Sequence, residues 1–368
     1  MTKVIYFNQW FTSITSIIED IKEKLGDKVY IIASSKIKDH AYRSVVDKFI
    51  AEDWKEDNIE QNYVNFTLNV CKENHVDIFL VRKHADIISK HKEEFERLGV
   101  HLAVEDYNKI MLFNNKIATY NFCKNNQLEN IVPEFIATRE ISDDSEAMTR
   151  VLDILNKSNM WCFKKAIDEG GISYRAIVKG KEVVIDGKIV GHSLIDEASL
   201  STYRVNEVNS DEFINMVKIY GKKLMDKLIF MEVLNNPEVS VDCYNSKKGF
   251  IAMCRAKGHG RGERIYFDSD VYNICKKLND IVDFKVPFNV QFRTKVNKEP
   301  EAENLRLLEV NTRMAGGTYY GLLFGANMCE VYVKDIMGIE DYDIERFKPN
   351  GKGIRVTHVE KAVMLEDN

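Results

Sequence analysis

Covalent and metal staples are scarce in this sequence. Its seven cysteines (Cys71, Cys123, Cys162, Cys243, Cys254, Cys275 and Cys329) are odd in number, scattered, and never spaced as C-x-x-C. That spacing argues against a disulfide framework and a structural zinc site, and predicts reduced, mostly buried thiols in a cytoplasmic protein. The opening MTKVIYFNQWF lacks the basic segment, long apolar segment and small-residue cleavage site of a secretory leader. No run approaches the roughly 18 apolar residues of a membrane span. Positive charge is not in excess: 52 Lys and Arg stand against 57 Asp and Glu, a net charge of −5. Nucleic acid is therefore a poor fit as main partner. Neither a G-x-x-x-x-G-K-[ST] phosphate loop nor a G-x-G-x-x-G fingerprint occurs, and there are no internal repeats and no low-complexity linker.

What is present is an ordinary soluble composition, 45% hydrophobic and 30% charged, over 368 residues. That length predicts two or three domains or subdomains. KVIYFN, TSIIEDIKEKL and KVYIIAS read as strand, helix, strand. NYVNFTLNVCKENHV continues as an amphipathic helix and DIFLV as a strand, so that a small doubly wound α/β domain ends near residue 103. NKIMLFNNKIATYNFCKNNQ, SEAMTRVLDILNKS and DEFINMVKIYGKKLMD read as helices around a strand-rich stretch. From IFMEVL onward, strands dominate: SVDCYN, GFIAMCRAK, FNVQFRTKV and NLRLLEVN, then a helix from about Tyr320 to Met337 and a last strand in IRVTHVEKAVML. The fold class is thus α/β followed by α+β, with two lobes and a cleft of the kind that favours ligands.

LLEVNTRMAGG, residues 307–317, carries the chemistry. On a strand, period 2 puts Leu308 and Val310 on one face and Glu309, Asn311 and Arg313 on the other. One reading is a solvated edge strand. The other is a Mg²⁺–phosphate site on a strand long enough to be central. There Glu309 and Asn311 supply oxygens to the metal, and Arg313 offers a planar fork of donors to phosphate. Gly316 and Gly317 would let backbone approach a ligand closely. FNVQFR supports the second reading, since antiparallel pairing with NLRLLEVN would bring Gln291 beside Glu309 as a further oxygen donor.

NVQF, LLEVNTRMAGG and GLLFGANMCEVYVKDIMG together resemble the carboxyl-terminal lobe of the ATP-grasp superfamily, most similar to its carbamoyl-phosphate-synthase-like branch. The resemblance extends over nearly the whole chain. It implies a Rossmann-like pre-ATP-grasp domain at 1–103, a small lobe with linking helices at 104–230 and a carboxyl-terminal lobe at 231–368. FMEVLNNPEVSVDCY resembles the hinge that holds adenosine, which implies Glu232, Val233 and Leu234 at the adenine and Glu238 at the ribose; otherwise the stretch is a strand ending in an Asn-Asn-Pro turn. WCFKKAIDEGGISYRAI resembles the small-lobe strand and glycine loop, with Lys164 on phosphate and Gly170, Gly171 and Ser173 in a lid; otherwise it is a hairpin turn with a solvated lysine pair. Lys116 takes a second basic position. Arg255 takes the place of an arginine facing the active centre, and His259 with Arg261 forms either an anion-recognition loop or a solvated turn.

The resemblance implies an ATP-dependent ligase that joins a small-molecule carboxylate to an amine, or a similar nucleophile, through an acyl phosphate, releasing ADP and phosphate. Gln291, Glu309 and Asn311 would hold two Mg²⁺, with Mn²⁺ an admissible substitute. Arg313 and Arg255 would stabilise the transferring group. A cytoplasmic homodimer is the implied state, with no nucleic acid and no membrane partner. The competing readings are a bicarbonate-using carboxylase or carbamoyl-phosphate-type enzyme, and a non-catalytic nucleotide-binding module.

Overall fold

A computed structural model of the chain describes residues 2–137, 146, 149–151, 153, 161–167, 173–178, 184–185, 188–189, 207–209, 228–257, 262–296, 298, 301–349, 353–357 and 362–365. The chain packs as two compact units, one of Met1–Met111, Pro237–Gln291 and Val310–Asn368, the other of Leu112–Asn236 and Phe292–Glu309.

In the first unit, five parallel strands lie in the order Lys48–Ala51, Val29–Ser35, Lys3–Asn8, Ile78–Leu80, His101–Ala103. The direction of winding reverses at Lys3–Asn8, as in a doubly wound sheet. Period 2 divides its side chains between two cores. Ile5 and Phe7 join the helix Ile14–Leu25, while Tyr6 and Phe79 join the helix Ile59–Glu73. Ile14, Ile17, Ile18, Ile21 and Leu25 form one buried stripe on their helix. Fully burying each such side chain contributes about 1.5–3 kcal/mol. The strand Lys48–Ala51 and the helices Ala85–Lys90 and Lys92–Arg97 were not legible in the sequence, because each is too short to show a period.

A six-stranded sheet follows the order Leu305–Asn311, Phe288–Lys295, Leu234–Ser246, Gly249–Lys257, Gly262–Tyr266, Ile354–Thr357. Among the described residues, the strand bearing Glu309 is therefore an edge strand and not a central one. Leu234–Ser246 runs extended through Pro237, so the alternative of an Asn-Asn-Pro turn is not what the chain adopts. The helix expected over Tyr320 to Met337 is divided. A 3₁₀ segment, Gly316–Phe324, ends at Gly325 (φ +77°), and Asn327 then accepts a hydrogen bond from the Glu330 N–H to start the helix Met328–Met337.

In the second unit, a five-stranded sheet has the order Glu207–Asn209, Arg175–Val178, Trp161–Lys165, Leu228–Glu232, Phe135–Ala137. The long helical stretch read after residue 107 is interrupted at Asn115, which leaves the helical region (φ −104°, ψ 109°) and accepts from the N–H groups of Ile117 and Ala118 to cap the helix Lys116–Asn125. The helices expected over 145–158 and 211–226 lie largely outside the described residues.

Candidate nucleotide and phosphoryl-transfer site

In the second unit, the strand Trp161–Lys165 carries Lys164 into the interior, where it is 3% exposed. The Lys116 N–H donates to the Ala166 carbonyl at 2.9 Å, which ties the start of the helix Lys116–Asn125 to the end of that strand. The Lys116 ammonium lies 3.9 Å from Oε2 of Glu309. Burial, followed by the charge of Lys116, pushes the Lys164 pKa down to about 8. Arg293 adds to the same effect, and Glu309 opposes it. The two buried ammonium groups repel one another, and an additional anion would relieve that repulsion. Tyr120, buried in the same unit, donates its hydroxyl to the Leu308 carbonyl at 3.1 Å and steadies the strand just before Glu309.

The residues expected at the adenine lie at the other end of the small sheet, where Glu232 pairs with Trp161. Glu232 closes a reciprocal pair with Glu134: its N–H donates to the Glu134 carbonyl at 2.9 Å, and its carboxylate accepts from the Glu134 N–H at 3.0 Å. Val233 falls between the strands Leu228–Glu232 and Leu234–Ser246, outside both. Leu234 is buried against Cys162 and Met231. Ser173 accepts from the Lys165 N–H at 2.8 Å. Gly170, Gly171, His259 and Arg261 lie outside the described residues.

In the first unit, Glu238 is buried at the start of the sheet strand and ion-paired with Lys257 on the neighbouring strand. Gln291 donates from its amide nitrogen to Asn289 Oδ1 at 3.3 Å. Asn311 and Arg313 are half-buried, and Arg313 donates to the Met314 carbonyl at 3.3 Å. Arg255 is 1% exposed. Its Nε donates to Asp242 at 2.6 Å, Nη1 to Glu263 at 2.7 Å and Nη2 to Ser240 at 3.0 Å. Burial works against its charge, but Asp242 and Glu263 outweigh that and hold its pKa above the ordinary arginine value.

A sequence family described as "ATP-grasp in the biosynthetic pathway with Ter operon" matches residues 224–362. The biotin carboxylase domain of Hydrogenobacter thermophilus 2-oxoglutarate carboxylase, solved with MgADP, ADP and bicarbonate, superposes with a TM-score of 0.63 at 13% identity, over 95% of this chain and 73% of that one. Staphylococcus aureus N5-carboxyaminoimidazole synthetase complexed with ADP gives 0.60 at 12% identity, over 92% and 79%. Biotin carboxylase from Campylobacter jejuni gives 0.63 at 13% identity, over 95% and 74%. Residues 224–362 match an ATP-grasp family model, and over nearly its whole length the chain has the fold of these enzymes. Identities this low establish the fold, and among curated proteins no sequence matches the chain.

Among the described residues no trio of His, Cys, Asp or Glu is gathered as a preformed metal cluster. The residues expected at the metal, Glu309, Gln291 and Asn311, each offer oxygen, the donor type that Mg²⁺ takes. Glu309 is 26% exposed in its side chain, so the edge strand that holds it is not simply solvated. All seven cysteines are free and buried. Among the described residues no helix is long and apolar enough to cross a membrane.

Sequence reasoning missed Ser240, Asp242, Asn289 and Thr318, a buried polar set around Arg255. Asn289 donates to Ser240 at 2.9 Å and to Asp242 at 2.9 Å, and Thr318 donates to Asp242 at 3.0 Å. The available signal was the alternation of Ser240 and Asp242 with Val239, Val241 and Cys243 in the middle of the strand.

Proposed function

We propose that this ATP-grasp protein is an ADP-forming ligase that joins a small-molecule carboxylate to an amine or similar nucleophile. The observation that carries the reading is the pair Lys116 and Lys164 beside Glu309, a buried, cation-rich setting suited to a triphosphate. The structural neighbours solved with ADP or MgADP support the same reading. Lys116 and Lys164 hold the phosphates, Glu238 takes the ribose, and Glu232, Val233 and Leu234 present backbone to the adenine. Gly170, Gly171 and Ser173 belong to the loop over the triphosphate. Gln291, Glu309 and Asn311 would bind Mg²⁺, or Mn²⁺ in its place, which when bound neutralises phosphate charge. A carboxylate oxygen attacks the γ-phosphorus, and the bond to the bridging oxygen breaks with its electrons leaving on ADP. The nucleophile then attacks the acyl carbon of the acyl phosphate and expels phosphate, its proton passing to phosphate or solvent. Arg313 places its guanidinium against the transferring phosphoryl group, so positioning and charge do most of the work.

The substrate pair is biosynthetic, in line with the description of the matched family. The domain boundaries at 103 and 230 are proposed to separate a substrate-recognising α/β domain from the two nucleotide lobes. A homodimer is proposed by analogy with the H. thermophilus domain, which is described as a dimer, and the reduced thiols support a cytoplasmic setting. A bicarbonate-using variant of the same chemistry is the second reading, favoured by the bicarbonate in that neighbour. The test is ADP release from Mg²⁺–ATP with pools of amino acids, di- and tricarboxylates or bicarbonate, with product masses read in parallel. Release that depends on a pool member, with a product one water lighter than two inputs, supports the ligase. Incorporation of labelled bicarbonate selects the second reading, and nucleotide binding without any release rejects both.

A further inference from the structure

We infer that Arg255 is a positioning residue that seats the Gly316–Thr318 backbone and does not meet the reacting groups. The functional part of this inference rests on the ligase reading above. Arg255 spends its donors inside the protein: Nε on Asp242, Nη1 on Glu263, and Nη2 on Ser240 and, at 3.4 Å, on Asp242 again. One guanidinium between two carboxylates leaves the group net negative, a setting that repels a phosphoryl or acyl-phosphate anion. A cation meant for an anionic intermediate has the opposite surroundings, like those of Lys164.

The same network reaches directly onto the turn that follows the proposed metal and phosphate residues. Asp242 Oδ1, held by Arg255, also accepts from Thr318 Oγ1 at 3.0 Å. A methyl group added at Gly317 would sit 2.1 Å from Arg255 Nη1. At Gly316 it would sit 2.9 Å from the ring of Phe11, and Ser13 Oγ donates to the Gly316 carbonyl at 2.9 Å. Neither glycine takes a positive φ, so close approach and not backbone dihedral requires them. The dipeptide is clasped, with Arg255 against one residue and the loop after the first strand against the other. Asn311 and Arg313 lie just upstream on the chain, so the clasp fixes the end of the segment that carries them.

The test compares full-length wild type with Gly317→Ala, Arg255→Lys and the double variant, in two measurements. One is the unfolding midpoint. The other is ADP affinity with and without Mn²⁺. Gly317→Ala should lower the midpoint and cut the Mn²⁺ enhancement of ADP binding by about tenfold, the usual scale for losing a group that orients metal ligands, while metal-free ADP affinity stays within about twofold. Lysine keeps the charge but lacks the forked head that collides with the methyl, so the double variant should lose no more than the worse single variant in either measurement. Losses that multiply, or an equal fall in metal-free ADP affinity, would overturn the inference. Wild-type ADP binding indifferent to Mn²⁺ would reject the ligase reading and the positioning role with it, while the midpoints would still decide whether the clasp exists.

Discussion

Two cations are buried in this protein to almost the same depth, and their surroundings differ in sign. Lys164, in the second unit, has Lys116 and Arg293 among its neighbours, with Glu309 the opposing carboxylate, and its pKa falls to about 8. Arg255, in the first unit, sits between Asp242 and Glu263 and is held above its ordinary value. Burial alone therefore does not mark a ligand site. The charge balance around the buried group does, because a cation with too few counter-ions gains from an incoming anion and one with too many does not.

The largest effect that would break this comparison concerns stability. Arg255→Met leaves two buried carboxylates uncompensated and should cost about 3–5 kcal/mol. Lys164→Met removes a desolvated charge and should leave stability unchanged or raised, seen as denaturation midpoints moving in opposite directions. Equal losses in both would mean that the two sites do not differ as described. Next in size is turnover. Glu309→Gln should lower ADP release by roughly 10²-fold or more without unfolding the chain, since on the proposed reading it weakens the hold on Mg²⁺; full activity would remove the basis for the metal assignment.

A pH series sharpens the contrast further. The folded pKa of Lys164, about 8, lies below its unfolded value, so the unfolded chain binds the extra proton between the two. Lys164 therefore costs stability below pH 8, and that cost is relieved as pH rises through about 8 toward the unfolded lysine value. ADP affinity should move the other way, weakening above pH 8 as the charge is lost, and Lys164→Met should flatten that profile. A wild-type profile without a step near pH 8 would show that Lys164 does not face the phosphates. Smallest of all, Tyr120→Phe deletes one hydrogen bond to the strand before Glu309 and should cost about 1 kcal/mol, measured by denaturant titration.

The doubly wound sheet was legible because KVIYFN and TSIIEDIKEKL each hold one period long enough to read. The alternation of Glu309, Asn311 and Arg313 was equally plain, but its edge position was not, since strand order depends on pairings far along the chain. The break at Asn115 and the divided segment around Gly325 are capping events that a wide apolar window averages over. The polar set around Arg255 stayed hidden for a different reason. Its members lie on four strands and one turn, and no local pattern announces that a buried arginine has already found its carboxylates.

One feature of the first core bears on how the protein is made. Ile5, Phe7 and Ile31 share a continuous apolar cluster with Met328, Val333, Phe347 and Val356, and Ser13 bonds to Gly316 across 303 positions. The amino-terminal sheet thus emerges from the ribosome long before the residues that cover one of its faces. During synthesis it waits with an uncovered apolar surface, and that core closes only after Met328 to Val356 have emerged. Contacts of such separation are slow to form and leave an interval open to aggregation. Loss of the segment from Met328 to Val356 would strand the sheet in that unfinished condition, so a stop codon placed before it is expected to yield little soluble protein even though the first hundred residues are intact.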